Sequence, residues 1–440
     1  MKMRRQAYAW SLSLVVLVCS GTPFSATSLE WEGSTTRGRI GAYLLSTTMA
    51  GITPASGQVA RGDLGLAVVR LRPIAEVTFF DQIRLELGWD VLPVMAVGSN
   101  LQQLAVAPQN RLRLADFKPV LYQGDGMNLQ HNLDRLFLRW IVGQFELRIG
   151  RQAIGHGGAR LLPSADLFGP FGPGAVATEF KRGVDAIRLT RPIGDAWELE
   201  LFAVMHRGAQ GDESPDTGLR DGVYLARVLW RVPEMLDASI LVGMSYRLPT
   251  FALALNGDVW GAGWYLEGSG RWDKEADAEI GDPQGPLQLR LTAGLDRQWQ
   301  DQWRTLVEVS YQSTGMGGAD LADPLSLGQP AVQMSAAAQR LPIEVGEGFL
   351  LGRWYAAAMV SKPFRDLHSL QCAAIVNLQD GSALVMPGVS FSMSDDVTLA
   401  IGALLSFGKR PTRSIAGITV PRSELGSGPM LGYLDVRTAW

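Results

Sequence analysis

From Ile83 to Val91 apolar and polar residues alternate without error: Ile83, Leu85, Leu87, Trp89 and Val91 share one side, and Arg84, Glu86, Gly88 and Asp90 the other. A period of two marks a β-strand whose faces meet different surroundings. The pattern recurs over Leu133 to Val142, where Leu136, Leu138, Trp140 and Val142 oppose Arg135, Phe137 and Arg139. After Gly143-Gln144 it returns as Phe145, Leu147 and Ile149 against Glu146, Arg148 and Gly150. A two-residue turn at Gly143-Gln144 sets Val142 opposite Phe145, Trp140 opposite Leu147 and Arg139 opposite Arg148. Two arginines directly opposed repel each other and suit a dry core poorly. The polar face of this hairpin is therefore predicted to look onto water.

The same reading carried along the chain gives about 18 strands, with 16 possible, most near the roughly 9 to 11 residues that a tilted membrane strand needs. The first run Gly38 to Thr48, Asp63 to Phe79 and Ile83 to Val91; alternation stops at Leu92-Pro93, and an irregular segment carries the chain to Asn132. The last is Met430 to Trp440. Connections after even strands are all short, among them Phe80 to Gln82, Gly143-Gln144 and Asn256 to Asp258, whereas every long segment follows an odd strand, including Pro93 to His131, Ala153 to Arg182 and Thr314 to Gly348. A soluble sandwich has no reason to sort its loops by parity; a one-sided membrane barrel does. The predicted fold is all-β: a single transmembrane antiparallel up-and-down β-barrel. Two features fit it less well. Pro387 falls inside a strand, where it must cost a ladder hydrogen bond or mark a bulge, and Thr250 to Leu255 is short for a span.

Composition agrees with strands that have one apolar and one polar face: charged residues are 19%, glycines number 50 and the net charge is −3. Residues 1–28 resemble a secretory signal, with Lys2, Arg4 and Arg5 before the apolar stretch Ala7 to Val18 and small residues around Ala26 and Ser28. Cys19 offers a lipoprotein reading, against which stands the bulk of Val18. Residues 29–440 are expected to form the barrel, in the outer membrane of a Gram-negative bacterium, with outer-membrane lipid around it. No later apolar run nears the roughly 18 residues of a spanning helix. Beyond the signal Cys372 is the one cysteine, so no internal disulfide is expected. The four histidines show no metal spacing and no glycine-rich phosphate motif opens a helix, so no metal, cofactor or nucleic-acid partner is expected. Trp440, with Thr438, Val436 and Leu434 on its face, resembles the terminal signal by which barrel-assembly machinery engages its clients.

With apolar faces assigned to lipid, the lumen receives eleven arginines against eight acids, the excess lying on strands four to nine. Arg135, Arg139, Arg148, Arg188, Arg227 and Arg231, with Glu146, Glu198 and Glu200, are the candidate channel-lining residues; Arg84, Arg247, Arg290, Arg304 and Arg353 complete the arginines, and Glu86, Asp90, Glu267, Asp296 and Glu308 the acids. A positive wall around a narrow aqueous path favours anions. Only six of the 40 basic residues are lysine, and arginine offers a planar fork for carboxylate or phosphate. The competing reading is that these arginines brace the wall through neighbouring acids, as Arg188 does if it faces Glu200.

The loop Ala153 to Arg182 occupies the place where general porins fold a loop inward to narrow the channel. His156, Arg160, Asp166, Glu179 and Arg182 are its candidate constriction residues, and an ordinary external loop is the alternative. His156, Ser164 and Asp166 are close in sequence, but proximity is not triad geometry, and no enzyme is expected. The run LRIGRQAIGHGGARLLPSADLFGPFGP, followed by RGVDAIRL, resembles outer-membrane porin-like barrels of the alginate-export type over about 50 residues. That resemblance implies an 18-stranded barrel with an arginine-rich lumen passing an anionic saccharide or small anion. The expected function is passive passage of small anionic solutes or anionic saccharides; a polysaccharide-export barrel with periplasmic partners and an outer-membrane hydrolase are the alternatives.

Overall fold

The computed structural model describes residues 28–54, 62–98, 112–114, 120–124, 126–172, 175, 178–205, 222–233, 235–273, 287–300, 302–315, 350–365, 367–413, 419–420 and 422–439. Residues 1–27, with most of the signal-like segment, His206 and Trp440 lie outside them.

Eighteen antiparallel strands close on themselves into a barrel. They are β1 (Thr36–Thr53), β2 (Gly62–Phe79), β3 (Ile83–Gly98), β4 (Met127–Val142), β5 (Phe145–Gln152), β6 (Val184–Ile193), β7 (Trp197–Val204), β8 (Val223–Val232) and β9 (Leu236–Ser245). The second half comprises β10 (Leu248–Val259), β11 (Ala262–Trp272), β12 (Leu287–Gln298), β13 (Arg304–Gln312), β14 (Trp354–Phe364), β15 (His368–Asn377), β16 (Ala383–Ser392), β17 (Val397–Phe407) and β18 (Met430–Ala439). Each strand pairs with its sequence neighbours, and β18 returns to β1 from Tyr43↔Ala439 to Ile52↔Met430. Closure leaves no open edge, which matters where lipid can satisfy no backbone group. A short strand, Leu29–Glu32, continues the β1 ladder beyond the end of β18, pairing with Arg37 to Ile40.

The alternation decides which way each side chain points. Leu136, Leu138, Trp140, Val142, Ile240, Val242, Phe251 and Leu253 are exposed on the outer surface, whereas Glu200, Glu267, Thr292 and Glu308 are buried inside. A surface that exposes its aliphatic and aromatic residues and encloses its carboxylates is the inverse of a soluble protein's, and suits lipid outside with polar groups within.

Every predicted strand is present, with shifted ends. β3 does not stop at Leu92-Pro93 but pairs with β4 through Pro93↔Leu129 to Met95↔Met127, so much of the expected irregular segment is ladder. β10 is a full-length strand, and its turn to β11 is Trp260-Gly261 rather than Asn256 to Asp258. Arg247 is not on the lumen wall: it shares a two-residue turn with Tyr246, φ 66° and 52°, and Arg353 precedes β14. The connections after even strands remain short throughout. Pro387 acts as its missing N–H requires: pairing with Cys372 persists, while the β16–β17 ladder skips from Val385↔Leu405 to Gly388↔Gly402.

Candidate functional site

β5 has only 8 residues, and the chain that leaves it turns into the lumen instead of rising outward. Two glutamates on the facing wall hold it there. Glu267 of β11 accepts backbone N–H groups of Gly158 (2.6 Å) and Ala159 (3.0 Å) on one oxygen and of Ser164 (2.7 Å) and Ala165 (3.2 Å) on the other. Glu308 of β13 accepts those of Arg160 (2.7 Å), Leu161 (3.2 Å) and Leu162 (2.7 Å), together with the Tyr265 hydroxyl (2.5 Å). The reverse face is satisfied too: Arg290 donates to Pro163 O (2.7 Å), Thr292 to Leu162 O (2.7 Å) and Ser269 to Ser164 O (2.5 Å). Runs of convergent amides form an anion cradle, and here the wall supplies the anions. Gly157 sits at φ +95° against the Glu267 carboxylate, where a Cβ would collide with it.

Apolar packing fixes the same loop. Ile154, Ala165, Leu167 and Phe168 form a dry cluster with Val184, Ala186, Phe202, Leu225 and Leu241 of the β6–β9 wall. Leu162 packs on Tyr355, Ala357 and Ile375 of β14 and β15. The loop therefore crosses the lumen.

His156 is 8% exposed, and its Nε2 has no hydrogen-bond partner. Burial first, then the nearby charges of Arg227 and Lys181, hold its pKa down to about 3, against an ordinary 6.5. His156 therefore adds no charge to the path near neutral pH. Released loop takes up a proton that docked loop refuses, so this contribution to docking is complete above pH 6.5 and is lost progressively as pH falls toward 3. Thermal unfolding of the wild type should drop between pH 7 and about 4.5, with a shallower drop in His156→Gln; parallel curves would refute the assignment. Lys181, also lowered by burial despite its partner, pairs with Asp166.

The wall arginines form one lateral row. Register sets Arg84 beside Arg139, Arg139 beside Arg148 as expected, and Arg148 beside Arg188, across β3 to β6. Acids interleave with them: Arg84 meets two, Glu76 (2.8 Å) and Glu86 (3.5 Å), whereas three other carboxylates each hold two guanidiniums. Glu146 binds Arg139 (2.5 Å) and Arg148 (2.6 Å), Glu200 binds both Arg188 and Arg227, and Asp296 binds Arg304 and loop residue Arg160 (3.6 Å). Each trio retains one positive charge. Arg188 reaches Glu200 diagonally, since register places Glu200 opposite Thr190 and Arg188 opposite Phe202. Arg231 stands 4.0 Å from Glu198.

Arg135 has a different setting. A register shift at Gly88/Trp89 inserts Asp134 as an extra residue of β4. Asp134 then meets Arg72 (2.7 Å), Arg113 (3.2 Å) and Arg135 (2.5 Å) and accepts Gly183 N–H (2.9 Å). Beside it Arg151 grips Asp185 with two bonds of 2.7 and 2.8 Å. This buried cluster ties the returning end of the loop to β2, β4 and β5.

The expected loop residues are thus dispersed. Arg160 joins the Asp296 trio, Glu179 pairs with Arg437 of β18, Arg182 is exposed at the loop's end, and His156 and Asp166 are enclosed. Ser164 Oγ donates to Glu267 O (3.1 Å) and Asp166 holds Lys181 and Phe168 N–H (3.0 Å), so His156, Ser164 and Asp166 form no relay. Sequence reasoning placed Glu267 and Glu308 in the lumen but missed their role as anchors. It also missed Asp134, because strict alternation has no place for a bulged residue.

Fold and site together define a β-barrel protein of the outer membrane, its lumen crossed by a loop and lined by arginine. The sequence matches no family profile and no curated protein. Solved structures are similar in fold. OccAB4 of Acinetobacter baumannii is 9% identical, with a TM-score of 0.51 over 95% of this chain and 100% of that one. OccK2 (OpdF) of Pseudomonas aeruginosa, in complex with glucuronate, is 10% identical with a TM-score of 0.50, covering 91% and 97%. The outer membrane protein OprD of Pseudomonas aeruginosa is 9% identical with a TM-score of 0.50, covering 91% and 93%. The resemblance to porin-like barrels stands; these structures lend nothing to the alginate-export type in particular.

Proposed function

We propose that this chain is an outer-membrane channel for the passive passage of small anionic solutes, anionic saccharides included. The observation that carries the reading is the row Arg84–Arg139–Arg148–Arg188, four planar cations in lateral register on the lumen wall. Arg84 is matched by Glu76 and Glu86, but two arginines share each of Glu146 and Glu200, so at Arg139, Arg148 and Arg188 the acids orient the guanidiniums without cancelling them. A carboxylate passing the row can exchange one fork for the next, which is how a binding wall also conducts. The glucuronate held by OccK2, a sugar bearing a carboxylate, supports the solute class. On this reading Arg139, Arg148, Arg188, Arg227 and Arg231 select for charge, Arg135 is taken out of the path by its burial against Asp134, the inserted loop sets the width, and the C-terminal strand is where barrel-assembly machinery engages the chain.

The test is the reversal potential across a planar bilayer under a KCl gradient. Wild type is expected to favour chloride, and Arg139→Glu with Arg148→Glu to favour potassium, because three carboxylates then meet on one hairpin. Conductance with the same chloride preference in both proteins would refute the role of the row.

A further inference from the structure

We propose that the outer surface of β14 to β17 holds a seat for one anionic phospholipid of the periplasmic leaflet; this rests on the barrel's place in the membrane and not on channel activity. The seat is a concavity of about 540 Å³ lined on its lipid-facing side by Val360, Leu370, Cys372, Pro387, Val389 and Ile401. Its origin is local. Pro387 has no N–H, the β16–β17 ladder is interrupted beside it, and the outward residues at that level, Cys372 and Ala403, are small where the next outward positions on the same strands carry Leu370 and Ile401. The surface is recessed there instead of flush.

A recess facing hydrocarbon does not stay empty, since an unfilled gap forfeits dispersion contacts on both sides. That argues for an acyl chain. The headgroup is argued from the rim. Trp303 borders the recess on the side of the short turns, and Lys362 Nζ lies 4.9 Å from the centroid of its ring. Lys362 alternates outward with Val360, and among the described residues it is the one lysine on a barrel strand. Arg191 and Arg297 also lie on the outer face near the short turns, but Lys362 is the cation at this recess, placed where lipid phosphates lie, next to an interfacial tryptophan. Apolar recess and cation together fit a two-part ligand: an acyl chain in the recess and a negatively charged headgroup on Lys362.

Native mass spectrometry of the full chain, purified in detergent, delipidated and returned to phosphatidylglycerol or phosphatidylcholine, tests this directly. Wild type should retain one phosphatidylglycerol and hold phosphatidylcholine at least tenfold more weakly. Lys362→Gln should lose that tenfold preference, and Ala403→Phe, whose ring fills the recess, should lose the adduct. Heat-modifiable electrophoretic mobility checks that both variants are folded; should Ala403→Phe not fold, the headgroup comparison with Lys362→Gln decides alone. Equal retention of the two lipids by wild type overturns the proposal. So does undiminished retention in folded Ala403→Phe, or a protein dimer in place of a lipid adduct. None of these readouts depends on conductance, so failure of the lipid seat is distinguishable from failure of the channel reading.

Discussion

Replacing Glu267 by alanine is expected to unseat the inserted loop and to raise single-channel conductance while making it noisier. Four backbone donors, at Gly158, Ala159, Ser164 and Ala165, lose one charged acceptor in a single change. Hydrogen bonds to a charged group contribute about 1.5–3 kcal/mol each, and buried donors left without a partner cost more than the bonds gave. Water in the lumen recovers part of this, so a net loss of about 3–5 kcal/mol in loop docking is the expected size. Glu308 is the second anchor, and Glu308→Ala should act in the same direction on Arg160 to Leu162. The double variant should then expose residues 158–165 to proteases in a barrel whose strands stay intact. Unchanged conductance and an unchanged cleavage pattern in the double variant would mean that apolar packing by Ile154, Leu167 and Phe168 holds the loop unaided.

Asp134→Ala is expected to be the most destabilising single substitution in the wall, by about 3–5 kcal/mol, because it leaves buried cations without their counter-ion. Asp134 and Arg72 are each 2% exposed, and Asp134 also bears on Arg113, Arg135 and the Gly183 amide. Asp90 stands 3.5 Å from Arg72 and supplies a second, longer contact, but it does not reach the loop end. The urea midpoint of the barrel in vesicles measures the loss. Asp134→Asn should fall between wild type and alanine, since the amide keeps the shape and one acceptor but not the charge. A midpoint shift that, multiplied by the denaturant slope, comes to less than about 0.5 kcal/mol would place the site among ordinary surface changes and remove Asp134 from the framework.

Alternation made the barrel legible because side-chain direction in a strand depends on parity alone, and lipid on one side with water on the other writes that parity into the sequence. The eighteen strands, the sorting of short and long connections and the Arg139–Arg148 pair all follow from it. Strand ends were less legible. Leu92-Pro93 reads as a stop, yet the strand continues: pairing with β4 persists through Pro93↔Leu129, while the β2–β3 ladder skips from Leu71↔Val91 to Val68↔Val94, where the proline has no N–H to give. The site was legible as a set of lumen-facing charges and a glycine-rich loop. What joins them was not: Glu267 and Gly158 are far apart in the chain, and no local pattern indicates which wall acid meets which loop amide. Asp134 was hidden by the very regularity that revealed its neighbours, because a single extra residue turns two consecutive side chains inward.

The short strand Leu29–Glu32 bears on how the cylinder is sealed. β18 ends its pairing with β1 at Tyr43↔Ala439, and below that point Arg37 to Ile40 find their partners in Leu29–Glu32. The seam between first and last strands is thus fastened by two separate pieces of chain, one from each terminus, meeting along the same edge. Zipping β18 onto β1 can close most of the seam but not its periplasmic corner. That corner is completed by the N-terminal segment folding back along β1, so the wall is sealed there by residues that belong to none of its eighteen strands.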